Sequence, residues 1–386
     1  MDGVVVFLKR QRLLLVILSI VMGFMFCFAN MTAVAHRNLV PIVTVTVNDS
    51  EISLQNAPFM KKGIVYIPIR ELSDEIDVQS VWDVKQNKIF LTMPGKRVVI
   101  SSHMIKNGTA YIPIRLLRES LGLTVTWDAQ ADVVDIAYIS PYLKISDADS
   151  TYLLHPVNGD LYVSMSGRGI QSLGKTNIKI RAGMEGVTTG LTTVSSTTKF
   201  LLLAEMYGEP HLNDDQYVVV LQQNRMILQT KTHYYGHHPI RNIWKTAAGD
   251  YVLLDGKWLY VVNKSGQMVK KHDLEKLTGY KDSAFQVEWY DRDFMIVRPH
   301  YTGWLTAVDI KTKKAIRLID LVATPEQLKV YKEYFPNEQQ SVEFRDWDGL
   351  KFIGRAGGKI QVTHDWFLDS NSTRLVTLDL PSLFAK

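Results

Sequence analysis

The segment Gly63-Ile64-Val65-Tyr66-Ile67-Pro68-Ile69-Arg70 returns forty-five residues later as Gly108-Thr109-Ala110-Tyr111-Ile112-Pro113-Ile114-Arg115. The offset then holds without a gap. Leu72 and Ile76 map onto Leu117 and Leu121, Trp82-Asp83 onto Trp127-Asp128, and Ile89 and Leu91 onto Val134 and Ile136. A repeat that keeps register over so many positions is one structural unit built twice. Everything copied is a packing or turn residue, so Tyr66, Pro68, Arg70 and Trp82, with their counterparts Tyr111, Pro113, Arg115 and Trp127, are structural positions. No catalytic pair is among them.

Each copy can be read as local structure. Lys61-Lys62-Gly63 and Lys106-Asn107-Gly108 are tight turns that lead into strands Ile64 to Ile67 and Thr109 to Ile112. Pro68 and Pro113 end those strands, since proline has no N–H for the ladder, and suit the first position of a helix. The stripe Ile69, Leu72, Ile76 and its copy Ile114, Leu117, Leu121 follow helical spacing, with Gly122 placed as a C-cap. Two further strands close each copy. The result is a strand-strand-helix-strand-strand unit, twice, in a compact α+β module.

The pattern Gly-x-x-Tyr-Ile-Pro-Ile-Arg, a leucine-rich helix, Trp-Asp and a closing strand resembles the copper amine oxidase N-terminal domain-like family, also called stalk domains. The resemblance covers about residues 43–139. It implies a fold and an extracellular setting of the kind found on secreted proteins of Gram-positive, spore-forming bacteria. It implies no site residues, because in the amine oxidase this domain is separate from the copper and quinone chemistry. The His-x-His copper motif and the Asn-Tyr quinone precursor motif of that family's catalytic domain are absent from the chain, which excludes amine oxidase activity.

The first thirty-five residues read as an export signal. Lys9, Arg10 and Arg12 precede an apolar run from Leu13 to Ala29, and Ala33-Val34-Ala35 offers a small-x-small cleavage site. Cleavage is expected after Ala35; the competing reading is an uncleaved membrane anchor. Cys27, the single cysteine, lies inside this segment behind the bulky Met25-Phe26, unlike a lipoprotein acylation site. The mature chain then has no disulfide and no thiolate site, and must be held by its apolar core. Removing the signal takes the formal charge from +5 to +3, three positive side chains leaving with Asp2. That excess is too small for a nucleic-acid partner.

The domains expected are therefore a signal peptide over 1–35, the stalk module over 36–140 and a repetitive β domain over 141–386. The fold class is mainly β with an α+β N-terminal module. Residues 250–274 and 294–321 echo each other at about forty-five residues, with weaker copies at 200–232 and 350–380, the spacing of propeller blades. The phrase in which a strand ending in Val-Asn or Val-Asp precedes a Lys/Gly-rich turn resembles bacterial quinoprotein-like propellers. An irregular β-sandwich or extended sheet is the alternative. Trp258 and Trp304 fall at equivalent blade positions on this reading and belong to the core. Thr324-Pro325-Glu326-Gln327 starts a helix, with Leu328, Tyr331 and Tyr334 at helical spacing, read as an insertion between blades.

Candidate chemistry is sparse. His233, His237 and His238 are weak metal candidates, since Gly236 and Pro239 argue for a loop and Asp214-Asp215 are the nearest acidic supplement. Glu288 with Asp291, and Glu343 with Asp346, could form carboxylate pairs for glycoside hydrolysis, interleaved with aromatic residues. Turn carboxylates look the same. No nucleophile elbow, phosphate loop or zinc-protease motif is present. The reading is a non-catalytic exported bacterial protein without a cofactor, whose stalk presents a binding domain to cell-wall glycan or an envelope protein. The rival is a secreted polysaccharide hydrolase.

Overall fold

The computed structural model describes residues 43–165, 169–181, 183–209, 213–236, 240–334, 348–366, 368 and 373–385. The expected export signal and cleavage site lie outside the described residues. Among the described residues, no helix is long and apolar enough to cross a membrane. The chain divides into two compact units, one running to Leu72 and including Ser102–Tyr138, the other Ser73–Ser101 with Ile139–Lys386. The stretch 36–140, expected as one module, therefore contributes to both.

The elements of the repeat are β1 (Thr44–Val47), β2 (Ser50–Glu51), β3 (Phe59–Lys61), β4 (Ile64–Pro68), α1 (Ile69–Glu75), β5 (Gln79–Asp83), β6 (Lys88–Met93), β7 (Lys96–Ile100), β8 (Met104–Lys106), β9 (Thr109–Pro113), a π-helical turn at Leu117–Leu121, β10 (Thr124–Asp128) and β11 (Val133–Ala137). Each proline is the last residue of its strand, and α1 begins one residue beyond Pro68. The two copies agree at their turns as well as their strands. Lys62 and Asn107, Gly63 and Gly108, and Asn87 and Asp132 are repeat-related pairs that all adopt positive φ. Two consecutive residues in that region make the tight hairpin turn whose twist matches the flanking strands.

In the first unit, β4 and β9 pair antiparallel with Tyr66 opposite Pro113, Ile67 opposite Ile112 and Pro68 opposite Tyr111. Under the forty-five-residue offset, Ile67 and Ile112 are the same position. The repeated strand therefore pairs with its own copy about a local two-fold. Ile67 and Ile112 are both fully buried at that point. Strands β3-β4-β9-β8 form one sheet, and β10-β11-β1-β2 another, with β1 parallel to β11.

The second unit is built from successive antiparallel meanders, and is β-propeller-like. Strands β5-β6-β7 form a three-stranded sheet. Then come β12 (Leu143–Ser146) to β15 (Gly169–Lys175), with β13 (Ser150–Leu154) and β14 (Asp160–Met165) between. Next are β16 (Val187–Thr193), β17 (Thr198–Tyr207), β18 (Asn213–Gln222) and β19 (Arg225–Tyr235), followed by β20 (Tyr251–Asp255), β21 (Trp258–Val262) and β22 (Met268–Asp273) with helix α2 (Leu274–Thr278). The fourth meander holds β23 (Phe285–Tyr290), β24 (Phe294–Pro299), β25 (Thr306–Asp309) and β26 (Ala315–Arg317), then α3 (Ile319–Val322) and α4 (Pro325–Tyr334). The last holds β27 (Leu350–Ala356), β28 (Lys359–His364) and β29 (Arg374–Asp379), then α5 (Leu380–Phe384).

These sheets stack because their middle strands are apolar on both faces. Leu201, Leu203, Val219 and Leu221 pack with Leu154, Leu161 and Val163 of the preceding meander. The alternate residues Phe200 and Val220 pack with Tyr251 and Leu253 of the following one. Val252 faces onward to Phe285, Val287 and Val297, and Ile296 onward again to Leu350, Ile360 and Val362. A strand used on both faces reads as a continuous apolar run such as Val218-Val219-Val220-Leu221. The β5-β6-β7 sheet is tied to the first of the four-stranded meanders where Gln79 Nε2 donates to the Met165 carbonyl at 2.6 Å.

One backbone device recurs in the last three meanders. The residue that follows the final strand, or opens the short helix there, donates its N–H to the residue just before the second-to-last strand: Leu274 to Lys257, Leu318 to Leu305, and Leu380 to Gly358, each at 2.9 Å. This register makes Trp258 equivalent to Thr306. Trp304 lies two residues earlier, so the expected equivalence of Trp258 and Trp304 is corrected by the structure. Helix α4 starts as expected, with a capping box: Gln327 N donates to Thr324 Oγ1 at 3.2 Å and Thr324 N to Gln327 Oε1 at 2.9 Å. It does more than lie on the surface, because Tyr331 enters the core between the last two meanders.

The self-pairing of the repeat makes a testable statement. Ile67→Ala and Ile112→Ala should each lower the free energy of unfolding by about 2–5 kcal/mol, and by similar amounts. Because the two side chains share one buried site, the double variant should lose less than the sum. Denaturant titration of the three variants checks it.

Candidate functional site

Strand pairs set the stage. Glu205 on β17, Asp215 on β18 and His233 on β19 form one cross-strand row. The residues two positions inward along β17 and β18, Leu203 and Tyr217, face the core shared with the preceding meander. The same face is thus apolar in mid-strand and turns ionisable at the strand ends. Glu205 and Asp215 are both fully buried, which demands partners.

The partners are present. Lys231 Nζ lies 2.7 Å from Asp215 Oδ2, and His233 Nδ1 lies 2.7 Å from Asp215 Oδ1. Glu205 Oε2 accepts the Arg181 backbone N–H at 2.6 Å. The Tyr217 hydroxyl sits between the carboxylates, 3.1 Å from Glu205 Oε1 and 3.2 Å from Asp215 Oδ2. It has one proton for three acceptors, the Lys179 carbonyl at 3.2 Å being the third, so the two carboxylates compete for it. Burial, with the field of both carboxylates, pushes the Tyr217 hydroxyl far up, and it stays protonated. Burial also pushes the Asp215 carboxyl up, but hydrogen bonds and charge from Lys231 and His233 outweigh it and hold the group below the usual carboxylate range. At the rim, Arg181 Nη1 donates to the Tyr207 hydroxyl at 2.6 Å and the guanidinium lies over that ring.

His233 therefore stands on a strand, where a loop was expected, and its nearest acidic supplement is the one the sequence offered, Asp215. His237 and His238 lie outside the described residues. Among the described residues no group of three His, Cys, Asp or Glu side chains is arranged to hold a metal ion.

The acidic clusters meet in an unexpected way. Glu288 is buried, and its Oε1 accepts from Arg298 Nε at 3.0 Å. Arg298 Nη1 also donates to Asp348 Oδ1 at 3.0 Å, and Nη2 to the Leu350 carbonyl at 2.6 Å. Asp348 Oδ2 accepts the Leu305 N–H at 2.6 Å. Burial raises the Glu288 carboxyl despite Arg298. Asp291 points elsewhere: its Oδ1 caps a turn, accepting from Asp293 N and Phe294 N at 2.8 Å each, and its Oδ2 pairs with Arg355. Glu288 and Asp291 do not converge. Glu343 and Asp346 lie outside the described residues, and it is Asp348 that comes to Glu288, with a guanidinium between them.

A third buried group lies close by in the fold. His300 Nε2 meets the backbone of Tyr235 at 2.9 Å, and Asp282 accepts from Ala284 N at 3.1 Å and Tyr301 N at 2.6 Å. Burial pushes the Asp282 carboxyl up to about 6, against the backbone N–H groups that favour its charged form.

Sequence reasoning missed Glu205, Tyr217, Lys231 and Arg181. The signal was there for the first two. Leu201-x-Leu203-x-Glu205 and Asp215-x-Tyr217-x-Val219-x-Leu221 put each acid in phase with core residues.

Residues 46–104 and 92–187 each match the copper amine oxidase N-terminal domain family. The doubled unit is thus a stalk-type module, and the remaining β domain is propeller-like. No curated protein matches the chain. Among solved structures, a protein of unknown function from Bacteroides caccae is 11 % identical over 76 % of this chain and 86 % of its own, at a TM-score of 0.23. Apo AztD from Citrobacter koseri is 10 % identical over 76 % and 89 %, at 0.24. Virginiamycin B lyase from Staphylococcus aureus is 10 % identical over 63 % and 70 %, at 0.22. Likenesses at this level assign no function.

Asp282 gives a pH signature. In the unfolded chain it titrates at about 3.9, and in the fold at about 6. Between these values the folded state holds a proton that the unfolded state releases, so stability falls as pH rises through that window. Asp282→Asn should remove this part of the slope. Denaturant titrations of both proteins from pH 4 to 7 should show the wild type losing stability relative to the variant, and a constant difference would contradict the assignment.

Proposed function

We propose that this is an exported, non-catalytic bacterial envelope protein in which a stalk-type module carries a propeller-like domain that binds cell-wall glycan. The observation that carries the reading is the polar row at the end of the second four-stranded meander. Glu205 and Asp215 are fully buried and hydrogen-bonded, while Lys231 and His233 are about one-third exposed and Arg181 is exposed. Leaving His233 aside, two cations balance two anions. A fixed set of donors and acceptors without net charge suits a neutral, hydroxyl-rich ligand better than an ion, and the Tyr207 ring adds a face for stacking. The leader sequence and the secreted setting of the stalk family support export.

The hydrolase reading has less support. Glycoside cleavage needs two carboxyl groups facing one bond, and Glu288 and Asp291 are each engaged by a different arginine.

Retention on purified Gram-positive sacculi tests the proposal. His233→Ala and Lys231→Met should each weaken retention by about tenfold, in keeping with the loss of one charge-assisted hydrogen bond, without release of soluble sugar by the wild type. The protein recovered from a secreting host should begin at His36. Retention equal in wild type and both variants would overturn the site, and sugar release by the wild type would overturn the non-catalytic reading.

A further inference from the structure

The repeat departs from its own pattern at the residue that closes the helix. Gly122 closes the second copy's helical turn at φ 79°, and its counterpart under the forty-five-residue offset is Asp77, at φ 50°. A Cβ at Gly122 would meet nothing within 4 Å. An aspartate in the left-handed region is strained relative to glycine, and strain kept in one copy of a repeat points to a use there. The Asp77 carboxylate is almost wholly buried, pairs with Lys144 Nζ at 2.5 Å and accepts a hydrogen bond from Ser140 Oγ.

That ion pair forms one end of a cavity of about 290 Å³. Lys144 belongs to the outer face of the first four-stranded meander, the face turned away from its core, and that face lines the cavity too. There Ser146 stands opposite Thr151, and Thr151 opposite Ser164. Ser146 Oγ donates to Thr151 Oγ1 at 3.0 Å. Asp74 stands exposed at the mouth. Leu153 and Ile170 supply an apolar floor and Val78 part of the roof.

We propose that this cavity is a binding site for a single neutral sugar ring. Its volume is at the lower end for small-molecule sites, which suits one ring and excludes a longer oligomer. Lys144 is already committed to Asp77, so no cation is left over to select an anion. The serine and threonine hydroxyls both donate and accept, matching the hydroxyls of a sugar, while Leu153, Ile170 and Val78 can cover its C–H face. Without an aromatic stacking partner, binding is weak, in the millimolar range. The choice of ligand rests on the glycan reading above; the site itself does not, because it lies on a different meander from Lys231 and His233.

Saturation-transfer NMR and calorimetric titration of the full mature chain with glucose and with N-acetylglucosamine test it. At least one should bind at millimolar concentration. Thr151→Val and Ser164→Ala, which alter one surface hydroxyl each, should weaken that binding at least fivefold while thermal melts stay unchanged. Neither should disturb sacculus retention through His233 and Lys231, so the two claims fail separately. The proposal is overturned if neither sugar binds, if binding is the same in both variants, or if inorganic phosphate or a simple amine displaces the sugar from the cavity.

Discussion

Strands buried on both faces constrain everything else in the larger unit. A run such as Val218-Val219-Val220-Leu221 cannot stand beside water on either side, so each meander must be covered by the next. Mid-strand positions are then mostly apolar, with small hydroxyls such as Thr230 and Thr232 among the exceptions. Charged groups that must be inside collect at the strand ends, where backbone N–H groups and long cationic side chains can reach them. Glu205, Asp215, Arg298 and Asp348 sit at or near such ends, and Glu288 sits where the β23–β24 register shifts between Val287 and Trp289.

Burial at these ends is costly unless each charge is matched. Two solutions appear. Around Arg298 the partners are all buried: one guanidinium serves two carboxylates and the Leu350 carbonyl, and burial raises the Glu288 carboxyl although Arg241 adds positive field there. That arrangement joins the last two meanders and leaves nothing for a ligand. Around Asp215 the carboxylates are equally buried, but their cationic partners reach outward. The difference between a structural ion cluster and a candidate site is thus the exposure of the matching cations.

Much of the fold was legible in the sequence, for reasons that can be named. The repeat could be read because its turn chemistry and its packing stripe agree: Asn107-Gly108 needs positive φ, and Leu117 and Leu121 need burial. The capping box at Thr324 was legible because both partners lie within one helical turn. What stayed hidden depends on contacts distant in sequence. Arg298 and Asp348 are fifty residues apart, and nothing local marks them as partners. The two-fold pairing of Ile67 with Ile112 was likewise invisible, because an offset shows that two segments are alike and says nothing of whether they touch. Trp258 and Trp304 were misaligned because the two loops differ in length. The register became clear only from the backbone bonds at Lys257 and Leu305.

Within the repeat, Asp77 marks a position where one copy departs from the other, and it lines a cavity. The central claim rests instead on the ends of β17, β18 and β19. Hydrogen–deuterium exchange of the mature protein, with and without soluble peptidoglycan fragments, tests that claim most directly. The account predicts slowed exchange concentrated over residues 203–207, 213–217 and 231–235, with the mid-strand amides already protected and unchanged. Fragments that bind and protect only other parts of the chain would contradict it.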